Sequence, residues 1–255
     1  MVVIAGWRVA LGTIAETLST TPGAVYKGLA IGTTAGGTYL YAADFRGGHI
    51  DVIANSGAPA LAGNFTDPNL PASFAPFNIR NIGGQLYVTY AKQDTAQHDD
   101  VPGAGNGFVS VFNLDGTFVK RLISDGVLNS PWGIALAPPG FGTLGGDFLV
   151  GNFGDGTINA FTPAGTFAGT LADTNGAMLV NDGLWALTFG NGGNGGNLGS
   201  LYLTAGLNDE ADGLFARIDG PVPEPSSLLL ITAGLAALGR GAWRRLRSRR
   251  EHPAP

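Results

Sequence analysis

Oxygen-bearing side chains crowd four Gly-bounded stretches of this chain, and oxygen is the ligand atom that a hard cation such as calcium prefers. The stretches are Asp44-Phe45-Arg46-Gly47-Gly48, residues 94–107, Asn152-Phe153-Gly154-Asp155-Gly156 and residues 208–213. The densest holds Asn208, Asp209, Glu210 and Asp212 ahead of Gly213, with Asp219 eleven residues beyond Asn208. That spacing partly imitates an EF-hand loop, but such a loop opens on Asp and closes on Glu, where this one has Asn and Asp. The second cluster is Asp94, Asp99 and Asp100, with His98 among them. Asn208, Asp209, Glu210, Asp212, Asp94, Asp99 and Asp100 are therefore the candidate metal ligands, and calcium the candidate ion. The same residue types are what tight turns demand, because Asp and Asn bond their own backbone and Gly supplies a positive φ. The clusters thus have two readings.

Other chemistry is excluded more firmly. The chain has no cysteine, so disulfides, thiolate metal sites and cysteine nucleophiles are out. No Gly-x-Ser-x-Gly elbow occurs, and His49, His98 and His252 show no metal-ligand spacing. The Gly-rich stretches 103–107 and 190–199 do not end in Gly-Lys-Ser/Thr and open no helix, so they read as loops and not as phosphate cradles. Residues 1–220 carry eight Lys and Arg against seventeen Asp and Glu. An acidic body of that kind has no basic face for phosphate, so nucleic acid is not a partner.

Short strands must position these loops. Four segments open on an apolar or aromatic anchor, in Lys27-Gly28-Leu29-Ala30-Ile31, Pro76-Phe77-Asn78-Ile79, Pro131-Trp132-Gly133-Ile134-Ala135 and Gly183-Leu184-Trp185-Ala186-Leu187. The anchors Leu29, Phe77, Trp132 and Trp185 lie 48, 55 and 53 residues apart. A second strand follows each (38–45, 85–91, 147–153, 200–206), then a third (49–54, 108–113, 157–162, 214–219), and in two units a fourth (117–123, 166–171). The runs alternate apolar and polar with β-branched and aromatic enrichment. Asp115-Gly116 and Ala164-Gly165 mark tight turns. Four short strands per unit of about 50 residues predict an all-β fold, a β-propeller of four-stranded blades. Trp132 and Trp185 open equivalent strands, so blade packing accounts for them.

The units also resemble NHL-type propeller repeats, on Pro131-Trp132-Gly133-Ile134-Ala135, Phe148-Leu149-Val150-Gly151-Asn152 and Gly156-Thr157-Ile158-Asn159-Ala160-Phe161. The body from residue 1 to 219 is similar to a family of uncharacterised bacterial propellers, through Gly23-Ala24-Val25-Tyr26-Lys27-Gly28-Leu29-Ala30, Tyr90-Ala91-Lys92-Gln93-Asp94 and residues 208–215. That resemblance implies a fold and an address and no activity. It implies a larger ring of six blades. Residues 2–7 and 10–18 look like the last two strands of a blade, and no signal peptide precedes them. The expectation is three complete blades, one three-stranded blade and two further strands, about four to four and a half blades of a chain truncated at its N-terminus.

The last 35 residues differ. From Ser226 to Trp243 only Arg240 is charged. As a helix this run spans about 27 Å, the thickness of a bilayer core. Arg244, Arg245, Arg247, Arg249 and Arg250 follow it, and by the positive-inside rule they stay cytoplasmic. Pro223-Glu224-Pro225 precedes it, and proline keeps such a helix from growing backwards. This order of triplet, apolar helix and Arg cluster resembles the PEP-CTERM sorting signal. The resemblance implies recognition by an exosortase of Gram-negative bacteria, cleavage near Pro223, Glu224 and Pro225, and transfer to the cell surface or extracellular matrix. The expected organisation is a propeller at 1–219, a linker at 220–225, a transmembrane helix at 226–243 in the lipid bilayer and a basic cytoplasmic tail at 244–255. The propeller would face the periplasm during sorting. Two functions follow. One is a non-enzymatic scaffold that binds an extracellular protein or glycan. The alternative is a metal-dependent hydrolase or lactonase-like enzyme with its ion at the ring's centre.

Overall fold

Proline, glycine and turn residues interrupt the chain every few residues, and strands are what survive between them. The computed structural model describes residues 2–220, in which sixteen strands form five small antiparallel sheets. The first pairs β1 (Val2–Gly6) with β2 (Glu16–Thr21). The second holds β3 (Tyr26–Thr34), β4 (Gly37–Asp44) and β5 (His49–Ala54). The third holds β6 (Phe74–Ile82), β7 (Gln85–Lys92), β8 (Gly107–Asn113) and β9 (Phe118–Ser124). The fourth holds β10 (Pro131–Leu136), β11 (Phe148–Asn152), β12 (Ile158–Phe161) and β13 (Phe167–Thr170). The fifth holds β14 (Leu184–Phe189), β15 (Ser200–Gly206) and β16 (Asp212–Asp219). Neighbours in sequence are neighbours in each sheet, the meander of a propeller blade. The linker triplet, the predicted transmembrane helix and the basic tail, from Pro221 onward, lie outside the described residues. Among the described residues no helix is long and apolar enough to cross a membrane.

Burial follows from stacking blade on blade. In β7, β8, β11 and β12 nearly every residue is buried, because both faces of these middle strands are covered. Leu86 and Val88 pack toward the second sheet, with Tyr39, Tyr41 and Ile50, while Tyr87 between them packs toward the fourth, with Phe148 and Val150. Leu149 turns the other way, onto Leu184, Leu187, Leu201 and Leu203 of the fifth sheet. A strand's period of two thus feeds two cores at once. The terminal strands β2 and β16 have one open side and largely exposed residues.

The structure corrects how the strands divide among the blades, with two complete blades where three were expected. Two sheets have four strands, two have three and one has two. The second sheet has no fourth strand because residues 55–73 contain Pro59, Pro68 and Pro71, which cannot donate to a ladder. The segment crosses instead to the third sheet. The N–H of Gly63 bonds the Asp115 carbonyl at 2.8 Å and that of Phe65 the Gly116 carbonyl at 3.0 Å. Phe65 inserts between Tyr41 and Phe112, with ring centroids 5.5 and 5.6 Å away. The strand expected at 10–18 is also displaced. Val9–Leu11 form a short 3-10 turn that Gly12 ends at φ 63°, and β2 starts at Glu16.

A buried ion pair fastens the same segment. The side chain of Asp67 is fully enclosed, and its Oδ2 accepts Arg121 Nε at 2.8 Å and Ser110 Oγ at 2.7 Å. Arg121 also lies over the Phe108 ring, 4.8 Å from its centroid. Burial pushes the Asp67 carboxyl up, but Arg121, Ser110 and the Asn69 N–H outweigh it and hold the pKa below the usual carboxylate range. A lowered pKa contributes stability above the ordinary carboxylate range, lost as pH falls through the folded value. Asp67→Asn should therefore cost about 3 kcal/mol at neutral pH, because it leaves the guanidinium unpaired. Urea unfolding should show the gap between wild type and variant closing as pH falls below about 4.

Candidate functional site

The innermost strand of each complete or near-complete blade carries one bulge, and the bulged residues meet. In β3 the register passes from Tyr26↔Asp44 to Gly28↔Ala43 and skips Lys27. In β6 it skips Phe77, and in β10 it skips Trp132. In β14 the irregularity falls at Trp185 and Ala186. A bulge frees one residue from the ladder and re-aims its side chain. Here three of the four side chains are aromatic and pack together at one end of the inner strands. Trp132 and Trp185 stand perpendicular at 5.3 Å, Phe153 lies 4.4 Å from Trp185, and Phe77 lies 5.9 Å from Trp185 and 5.2 Å from Phe45.

The fourth position corrects the anchor expected at Leu29. Lys27 occupies it, while Leu29 is 54% exposed toward the space between the inner strands. Lys27 accepts Trp132 Nε1 on its carbonyl at 2.9 Å, and its ammonium lies 3.4 Å from Asp99. Apolarity pointed to Leu29. The small residues that follow the bulge, Gly28 and Gly133, point to Lys27. A Cβ on Gly28 would lie 2.7 Å from Asn78 Cα, and one on Gly133 would lie 2.6 Å from the Trp185 carbonyl. The inner strands approach too closely for anything larger.

Polar groups between the inner strands are spent on joining blades. Arg80 donates from Nη1 to the Leu187 carbonyl and from Nη2 to Thr188 Oγ1, both at 2.8 Å. Asn78 Nδ2 donates to the Trp132 carbonyl at 2.8 Å, and Asn81 Nδ2 to the Ile31 carbonyl at 3.0 Å. The cavity there, about 400 Å³, is lined by Leu29, Ile31, Trp132 and this guanidinium, with no carboxylate in its wall. A divalent ion would meet a fixed positive charge.

The candidate metal ligands take separate places. Glu210 accepts Trp185 Nε1 at 2.6 Å, and Asn208 donates to Asp212 at 2.7 Å. Asn208, Asp209 and Glu210 all have φ between 53° and 64°, a left-handed turn built from non-glycine residues. Asp219, at the far end of β16, accepts Ser200 Oγ at 2.5 Å. Asp94 accepts the N–H groups of His98 and Asp99 and closes its own loop. Asp99 pairs with Lys27 and with His98, and its carboxyl is held low by His98 first. Burial raises the carboxyl of Asp100. In the third stretch Asn129, Asn152 and Asp155 form a hydrogen-bonded web between the third and fourth sheets.

Among the described residues, three metal-ligating side chains come within 4.8 Å of one another at Asp44, His49 and Asp51. Fold chemistry already occupies them. Asp44 Oδ1 accepts the Val25 N–H at 2.9 Å, as Asn152 accepts that of Asn129. His49 bonds Asp51 and the Gly47 carbonyl, each at 3.0 Å, and Asp51 also accepts Tyr26 OH. Burial opposes protonation of His49, but the Gly47 carbonyl and Asp51 outweigh it and raise its pKa above the ordinary histidine value. Asp51 escaped the sequence reading. Its alternation with His49 on one face of β5 was the available signal.

Comparison with known proteins supplies fold and address. The PEP-CTERM protein-sorting motif matches residues 221–247. Two uncharacterized proteins of Acanthamoeba polyphaga mimivirus are 40% identical over 200 residues and 41% over 202, each covering 76% of this chain and 48% and 51% of its own length. The chain spans about half the length of the curated relatives it matches. A chain in the crystal structure of a nidogen/laminin complex aligns with 81% of this chain and 69% of its own, at 20% identity and a TM-score of 0.50, which shows the fold alone.

Two expectations follow. A left-handed backbone costs a side-chain-bearing residue about 1–2 kcal/mol, less for Asp. Asp209→Gly should therefore raise unfolding stability by about 1 kcal/mol, and an unchanged or lower value in urea would contradict the turn. By NMR the His49 ring should titrate above about 6.5, and Asp51→Asn should lower that midpoint.

Proposed function

We propose that this chain is an exported binding scaffold, a propeller delivered to the cell surface or extracellular matrix and processed by an exosortase through its C-terminal tail. The observation that carries the reading is the PEP-CTERM sorting motif at 221–247 directly behind a propeller that ends at Asp219. In this reading residues 226–243 enter the bilayer and the cluster from Arg244 to Arg250 stays cytoplasmic, because basic residues resist translocation. The propeller then faces outward, and cleavage near Pro223-Glu224-Pro225 releases it. A binding role suits a loop face whose polar side chains are committed to structure. Asp94, Asp155 and Asn152 hold turns, Glu210 holds Trp185, and the guanidinium of Arg80 sits where a central metal would have to bind. The ligand is an extracellular protein or glycan.

Processing is directly testable. The chain, supplied with a secretory signal so that export does not limit the result, is expressed in a bacterium with an exosortase and in its exosortase-null derivative. Intact mass should show the tail lost and the propeller released in the first strain only. Replacing Pro223, Glu224 and Pro225 with Ala should leave the tail attached and the chain in the membrane fraction. Equal mass and equal distribution in both strains would refute exosortase processing.

A further inference from the structure

A second cavity, about 370 Å³, lies between the second and third sheets, under residues 64–72 and against the start of β6 at Phe74 and Pro76. Its volume falls within the range of small-molecule sites. The wall combines three kinds of surface. Phe74, Leu70 and Pro71 are apolar. Asn64, Gln93 and Gln97 supply amides. Arg46 and Asp67 supply opposite charges, and His49 lines the wall too, its ring bonded to Asp51 at 3.0 Å so that any charge it takes up is matched there. Two lining residues carry a buried polar atom with no partner, Tyr90 OH and Arg46 Nε, while Arg46 Nη1 donates to the Gly23 carbonyl at 3.3 Å. Tyr90 is only 2% exposed. A buried hydroxyl with no hydrogen bond is destabilising by about 1–3 kcal/mol, and natural interiors seldom retain one without a use.

Charge decides what class of molecule suits this wall. An anion would gain Arg46 but approach Asp67, and a cation would gain Asp67 but approach Arg46. The Asp67 carboxylate is already matched by Arg121 at 2.8 Å. Burial raises the Tyr90 pKa far above the ordinary phenol value, so its hydroxyl stays protonated and can donate. Arg46 Nε also donates, and the amide oxygens accept. A molecule that fits has hydroxyls that both donate and accept, one apolar face and no net charge.

We propose that this cavity binds a neutral sugar unit, with Tyr90 OH and Arg46 Nε as its buried donors and Phe74 beneath its apolar face. The inference deepens the binding reading above and rests on it for its biological setting. Its test is separate, because tail processing is read by mass in cells and sugar binding on purified protein.

Tyr90→Phe makes the test sharp. It removes one unpartnered oxygen and leaves the ring, so the variant should fold with unchanged or higher Tm. Saturation-transfer NMR and calorimetry on the full chain in detergent would use glucose, galactose, mannose and N-acetylglucosamine. Neutral oligosaccharides ending in each would distinguish a free sugar from a glycan end, and acetate and tetramethylammonium would serve as charged probes. At least one neutral sugar should bind with a Kd of about 1 mM or tighter, and Tyr90→Phe should weaken it about ten-fold. Arg46→Gln should weaken it comparably. Binding of acetate or tetramethylammonium without any neutral sugar would overturn the assignment. So would no binding by any probe, or equal sugar binding in wild type and Tyr90→Phe.

Discussion

Sheets in this protein can bury their apolar side chains only against other sheets, and the approach of the inner strands sets how closely they do so. Gly28 and Gly133 permit that approach, since a methyl group at either position would overlap a neighbouring backbone. Each inner strand then carries an extra residue at the same end. Lys27, Phe77, Trp132 and Trp185 leave their ladders there, and the three aromatics fill the converging space. The three interblade cores, the crossing bonds of Arg80 and Asn78 and the ordering of the loops above all presuppose this arrangement.

Loop polarity is explained largely by the same architecture. Short strands expose many turn N–H groups, and Asp and Asn satisfy them. Asp94 closes its own loop, Asn152 and Asn129 join two sheets, and Asp44 repeats the role of Asn152 in another blade. A high density of oxygen side chains on one face is therefore what a propeller with tight turns produces. Against that background the hydroxyl of Tyr90 and the Nε of Arg46 are set apart, because both are buried without a partner in the wall of one cavity.

Residues 55–73 show how one composition can lead to a different structure. Proline keeps the segment out of the second sheet, and the buried Asp67–Arg121 pair and the inserted Phe65 fix it to the third. Its path creates the cavity that its own residues roof. A fourth strand in that place would have closed the blade and left no such space.

Much of the fold was legible in the sequence alone. Alternation, turn residues and a repeat near 50 residues determined the strands, the meander and the propeller, because these depend on neighbours along the chain. The tail was equally legible, since the motif at Pro223, Glu224 and Pro225 and the arginines beyond it are local features. Tertiary structure alone decided which residue anchors the first inner strand, for a bulge is a register between two strands and Lys27 does not announce it. Only the fold could commit Glu210 to Trp185, pair Asp67 with Arg121, or leave Tyr90 without a partner. Those outcomes depend on contacts between residues tens of positions apart, and composition carries no record of which distant groups will share a buried space.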